Sequence, residues 1–187
     1  MHKPNLKKFY ILTIGILLLA SAQAEKVEAT ATIAFHGTST LHGFEGTVDT
    51  APFTASFRED GETGQLYVSA TTTVNVLDMT THHKKRDKNM FKMLNPQDFS
   101  LITGVLANAP LPEEGSSKVI LRLKIHDVEQ EVPATLSDWK REGDLGSCRM
   151  VFSVSLKAFG LKAPSVMGLI RVGDIVTVEC TLKGTNP

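Results

Sequence analysis

Residues 118–125 read KVILRLKI. Val119, Leu121, Leu123 and Ile125 take one side of an extended chain, and Lys118, Arg122 and Lys124 take the other, because successive strand side chains point to opposite faces. A helix would spread these residues around its circumference, whereas a half-buried strand separates them cleanly. The same period of two extends in both directions. Upstream, Val27, Ala29, Ala31, Ile33 and Phe35 alternate with polar residues, as do Phe44, Gly46 and Val48. Phe53, Ala55 and Phe57 follow, then Leu66, Val68, Ala70, Thr72 and Val74. Downstream come Val132, Ala134 and Leu136, then Met150, Phe152, Val154 and Leu156, then Val176, Val178, Cys180 and Leu182.

Turn-forming clusters separate the runs: EDGETG after Phe57, APLPEEGSS before Lys118, and KREGDLG after Trp139. Eight or nine short strands at this spacing predict an all-β antiparallel sandwich or barrel. One segment breaks the pattern. In KKRDKNMFKML, residues 84–94, Met90, Phe91, Met93 and Leu94 fall at helical spacing, and Asn95-Pro96 stops the helix. This short helix is expected to plug one end of the barrel or to gate a ligand. Asp87 suits the positive start of the helix, and Arg86 lies one turn before Met90 on the same face.

The first residues read as a secretory leader. Lys3, Lys7 and Lys8 precede the apolar run 9–20, and Ala22-Gln23-Ala24 supplies a small-residue cleavage site. Twelve apolar residues fall short of the roughly 20 that span a bilayer. Cleavage after Ala24 would remove three of the 20 basic residues and none of the 20 acidic ones, leaving a mature chain of net charge −3. Such a surface gives no general attraction for nucleic acid or anionic lipid. Residues 25–187 fit one domain, periplasmic or secreted, with no stable membrane insertion after cleavage.

FHGTSTLHGFEGTVD, residues 35–49, brings Ser39 and His42 close together and invites a nucleophile–base reading. No G-x-S-x-G elbow accompanies them, and hydroxyl and glycine residues belong in a hairpin turn over Thr38–Leu41. The histidines 36, 42, 82, 83 and 126 show no strong zinc spacing. No metal or cofactor is expected. Cys148 and Cys180 share the inward parity of their strands. If those strands pair antiparallel, facing residue numbers sum to about 330, so the two cysteines become neighbours on one face and candidates for a disulfide, bonded or free.

With the strands placed, the mature chain resembles the YceI-like family. GTSTLHGFEGTV is similar to that family's first hairpin. The segment TTTVNVLDMTTHHKKRDKNMFKMLNPQDFSLIT is similar to its strand, Arg-Asp helix and returning strand. LRLKIHDVEQEVPATL and FSVSLKAFGLKAPSVMGLIRVGDIVTVECTL are similar to its closing strands. The chain departs from many relatives in having Lys88-Asn89-Met90 after Arg-Asp, and Asp127 and Glu129 after His126.

The resemblance implies a lipocalin-like antiparallel β-barrel of about eight strands with one short helix, binding a polyisoprenoid or similar amphipathic lipid without chemistry. The implied partner is an apolar-chain lipid: isoprenoid, quinone-type or fatty-acyl. Oligomeric state stays open, a homodimer included. Small inward residues (Ala29, Ala31, Gly46, Ala55, Ala70) leave room for such a chain. The expected ligand-binding residues are Phe35, Phe44, Phe57, Val68, Ala70, Arg86, Met90, Phe91, Leu94, Phe99, Leu121, Leu123, Phe152 and Val154. Two alternatives remain: an enzyme using His42, His126 or Arg86 inside the barrel, and an interaction barrel filled by its own side chains.

Overall fold

The structure is a computed structural model and describes residues 24–166 and 170–185. The expected leader, residues 1–24, lies outside the described residues except for Ala24. The elements are β1 (Glu25–Ser39), β2 (Phe44–Asp49), β3 (Phe53–Glu59), β4 (Leu66–Asn75), α1 (Lys84–Leu94), β5 (Leu101–Pro110), β6 (Ser116–Ile125), β7 (Val128–Glu142), β8 (Leu145–Ser155), β9 (Ser165–Val166) and β10 (Ile170–Thr185).

The strands close into a lipocalin-like antiparallel barrel. Going around, β1, β3, β4, β5, β6, β7, β8 and β10 are neighbours, and β10 returns to β1. Closure leaves these long strands without a free edge, which an open sheet would have to protect. β2 lies in line with β3. Residues 32–37 of β1 pair with β2, while residues 25–29 pair with β3. Thr50 stitches the break between them: its N–H donates to the Ala31 carbonyl, and its hydroxyl accepts from the Ala31 N–H. β2 and β3 thus behave as one interrupted strand.

KVILRLKI folds as its alternation predicts. Val119, Leu121, Leu123 and Ile125 are buried, and the residues between them are exposed. Register shifts interrupt the rule in the β1–β10, β4–β5 and β7–β8 ladders, and the last two each add one residue to one strand and flip the side-chain phase beyond it. In β5, Asn108 takes a left-handed backbone (φ 47°) and donates its N–H to Ser69 Oγ, so buried positions move from Leu106 to Ala109 and Leu111. In β7, Asp138 (φ 55°) shifts the register between Ser137 and Lys140. The run of Val132, Ala134 and Leu136 therefore continues inward at Trp139, whose ring stacks on Phe57 at 5.8 Å. β7 also extends well past the short strand expected. Most of KREGDLG is strand, and only Gly143 and Asp144 separate β7 from β8.

The reciprocal Phe–Gly pairs of the first hairpin explain two of its glycines. Phe35 faces Gly46 across the strands, and Gly37 faces Phe44. A β-carbon on Gly46 would come within 2.2 Å of the Phe35 ring and 2.6 Å of the Thr80 carbonyl oxygen. One on Gly37 would come within 2.4 Å of the Phe44 ring.

The cysteine expectation needs correction. The sum of 330 holds, but it places Cys180 opposite Met150, and Cys148 opposite Leu182. The two thiols share a face as diagonal neighbours two residues out of step, and both are free. Diagonal positions lie about 7–8 Å apart, whereas a disulfide needs β-carbons within about 4.5 Å. Burial also pushes the thiols up, Cys148 to about 11 and Cys180 to about 12, the latter helped by Cys148. An aromatic-disulfide thiol reagent should therefore count two thiols in unreduced, denatured protein and react very slowly with the folded barrel. A single intact disulfide in denatured protein would contradict this register.

Candidate functional site

The barrel interior opens into a cavity of about 490 Å³ at the end covered by α1. Its walls are overwhelmingly apolar. Phe35, Phe44, Leu121, Leu123, Phe152 and Val154 line it from the strands. Arg86, Met90 and Leu94 line it from the helix. These nine expected site residues come together in one place. Phe57, Val68 and Ala70 face a separate, smaller cavity at the other end of the barrel. Phe91 and Phe99 line neither: Phe91 packs half-buried against the core, and Phe99 stacks on the His126 ring at 4.1 Å.

The helix is held at both ends. At its C-terminus, Asn95 adopts a left-handed backbone (φ 46°) that ends the helix, and its N–H donates to the Phe91 carbonyl. The Leu94 carbonyl lies 2.7 Å from His126 Nε2, in the β6–β7 turn. At its N-terminus, Asp87 reaches back to the strap before the helix. Its carboxylate accepts from the Thr81 N–H (2.7 Å), the Thr81 hydroxyl and the Thr80 hydroxyl (3.3 Å). Thr80 itself exchanges two backbone hydrogen bonds with Thr47 of β2, at 2.8 and 3.0 Å. The expected helix-start role of Asp87 is therefore extended: it ties helix, strap and β2 together.

Burial raises the affinity of the Asp87 carboxyl for its proton. The hydrogen bonds from Thr81 and Thr80, with the Arg86 charge, outweigh this and hold it below its ordinary value of 3.8. Arg86 donates to the Thr81 carbonyl at 3.1 Å, and its guanidinium lies 5.8 Å from the centre of the Phe44 ring. It is thus fixed at the cavity wall as a cation beside apolar surface. Lys85, His83, Asn89 and His42 complete a polar, mainly basic rim.

The alternatives weighed from sequence find little geometry. The Ser39 hydroxyl donates to the His42 carbonyl at 2.7 Å, so it is engaged by backbone and not by the imidazole. His126 sits outside the cavity, occupied by Leu94 and Phe99, and does not meet His42 or Arg86. Among the described residues, no group of three or more His, Cys, Asp or Glu side chains could hold a metal ion. Cys180 lines the cavity, but its raised pKa keeps it a neutral thiol near pH 7. The arrangement is an apolar-walled cavity with a cation, Arg86, on its lining.

Several lining residues escaped the sequence list. Ile33, Met150 and Val178 line the cavity too, and they share the inward parity of their strand neighbours Phe35, Phe152 and Cys180. Met79 and Thr81 lie in the irregular strap, where no periodicity marks them.

Because Asp87 is more acidic in the folded state, its stabilisation is present above the unfolded carboxylate value and is lost as pH falls through the folded one. Asp87→Asn should lower stability at pH 7 by about 1.5–3 kcal/mol, the range for hydrogen bonds to a charged group. The gap between parent and variant in urea unfolding should shrink below about pH 4. A gap that does not change with pH would show that the charge is immaterial.

A YceI-like domain matches residues 22–184. No curated protein matches the sequence significantly. Among solved structures, BcnA of Burkholderia cenocepacia is similar with a TM-score of 0.65 at 16% identity, over 83% of this chain and 96% of that one. A polyisoprenoid binding domain from Saccharophagus degradans gives a TM-score of 0.61 at 13% identity, over 88% of this chain and 100% of that one. The Campylobacter jejuni YCEI protein gives 0.52 at 10% identity, over 100% and 99%. At these identities the likeness speaks for the shared fold.

Proposed function

The chain belongs to the YceI-like family, and we propose that it is a binding protein for a polyisoprenoid or similar amphipathic lipid, performing no chemistry on it. The observation that carries this reading is the apolar cavity of about 490 Å³ in the barrel. An apolar cavity of about 150 Å³ accommodates benzene, so this one suits roughly twenty carbons of chain, about four isoprene units. Burial of a CH₂ group contributes about 0.8 kcal/mol, so such a chain exceeds an ordering cost on the order of 4–15 kcal/mol only modestly. A long chain is needed, and short fragments should bind weakly.

The polar end belongs at the rim beside Arg86, where an anionic or carbonyl-bearing head group would meet a fixed cation. The polyisoprenoid binding domain named among the similar structures supports the same class of ligand. Quinone-type and fatty-acyl chains satisfy the same walls. The role is carriage, storage or sequestration, in the periplasm or outside the cell after removal of residues 1–24, with no nucleic-acid partner.

Native mass spectrometry of gently purified protein, followed by lipid extraction, should find an apolar-chain lipid bound at one per barrel. Protein stripped by organic solvent and refolded should take up geranylgeraniol. Folded barrel that takes up no apolar chain would sink the reading. The export part is tested separately: the N-terminus of protein recovered from the periplasm or medium should be Glu25. Recovery of Met1 there would exclude cleavage.

A further inference from the structure

The barrel contains a second cavity, of about 80 Å³, beyond the floor of the first. The boundary between the two runs around the wall at one level. On β4, Ala70 faces the small cavity and Thr72 the large one; on β5 the division falls between Leu106 and Gly104; on β10, between Leu182 and Cys180. β8 is different. Among the described residues, Met150 alone lines both cavities. It is buried and stands opposite Leu136 on one side and Cys180 on the other.

Chemistry distinguishes this side chain from its surroundings. The wall at this level is mixed: Ala70 and Gly104 are small, whereas Leu106, Leu136 and Leu182 are branched side chains that each line the small cavity alone. Methionine is unbranched, with three rotatable bonds, and fills irregular apolar gaps without a fixed shape. The small cavity also continues the large one chemically, since Phe57, Val68 and Ala70 line it. It holds the chain's one tryptophan, Trp139.

We propose that Met150 is the stop that sets the length of chain the barrel accepts. The first cavity takes roughly four isoprene units, and the tail then abuts the Met150 side chain. Further units have no apolar space unless that side chain is removed. This rests on the lipid-binding reading above and assigns it a length limit.

The test uses stripped parent protein and Met150→Ala, each titrated with prenyl alcohols of two to six isoprene units. Parent affinity should rise by at least about tenfold per unit up to roughly four units, from the burial of each added group, and then level off. Trp139 emission should stay unchanged. In Met150→Ala the rise should continue to the five-unit alcohol, with a gain of at least about tenfold over the parent, and Trp139 emission should shift to the blue as chain enters its cavity. Adding Ala70→Phe to Met150→Ala should refill that space and restore the parent's limit. If Met150→Ala fails to fold, Met150→Val replaces it, keeping an apolar residue but not its reach. A folded variant with the parent's length profile and unchanged Trp139 emission overturns the proposal, as does a parent whose affinity climbs through six units; both leave the lipid-binding reading intact. A parent that binds no alcohol of any length overturns both.

Discussion

Everything in this barrel depends on β1 holding two partners along one edge. β2 and β3 must share that edge end to end, and the break between them is bridged by the double hydrogen bond of Thr50 with Ala31. The break has a structural effect. β3 carries the sheet on to β4, but β2 makes no ladder with β4; its outer edge meets Thr80 instead. One side of the barrel mouth is therefore built from a strap and not from a strand. The helix and the cavity entrance stand where the ladder is missing.

The polar cluster of Asp87, Thr81, Thr80 and Arg86 is best understood as closing that gap. A strap has no ladder of its own, so its backbone groups need other partners. Asp87 supplies one for the Thr81 N–H, Arg86 supplies one for the Thr81 carbonyl, and Thr47 supplies two for Thr80. Gly46 is where these demands cross, since its bare α-carbon lies beneath both the Phe35 ring and the Thr80 carbonyl. The aromatic at the cavity wall and the strap at its mouth are thereby fixed by one missing side chain.

How much of this could be read from the chain depends on the kind of information. Which residues point inward was legible wherever strands were regular, as in KVILRLKI, because a period of two is a local property. Trp139 and Ala109 were not legible, because Asp138 and Asn108 each add one residue and reverse the phase, and neither residue announces a bulge. The cysteine pair shows a finer limit: parity put both thiols on one face, but the offset of a single residue pair decides bonding distance. Nine of the expected site residues gather in one cavity, while Phe57, Val68 and Ala70 do not. Alternation reports the face of a residue and says nothing of its depth along the barrel axis, so it cannot see the division at Met150. The strap of Thr80 and Thr81 is polar and aperiodic, and only its contacts reveal its importance.

Pairing of the first long strand with the last has a consequence for the order of folding. The β6–β7 and β7–β8 hairpins need only two-residue turns, at His126–Asp127 and Gly143–Asp144, and can form at small entropic cost. The β1–β10 ladder joins residues 28 and 185, so nearly the whole described chain must be gathered before it forms. Contacts of such sequence separation slow folding. Until they form, the growing sheet presents an apolar face and two unpaired edges, the features that make intermediates adhere to one another. The ladder that closes the barrel is thus also the one that removes its unpaired edges.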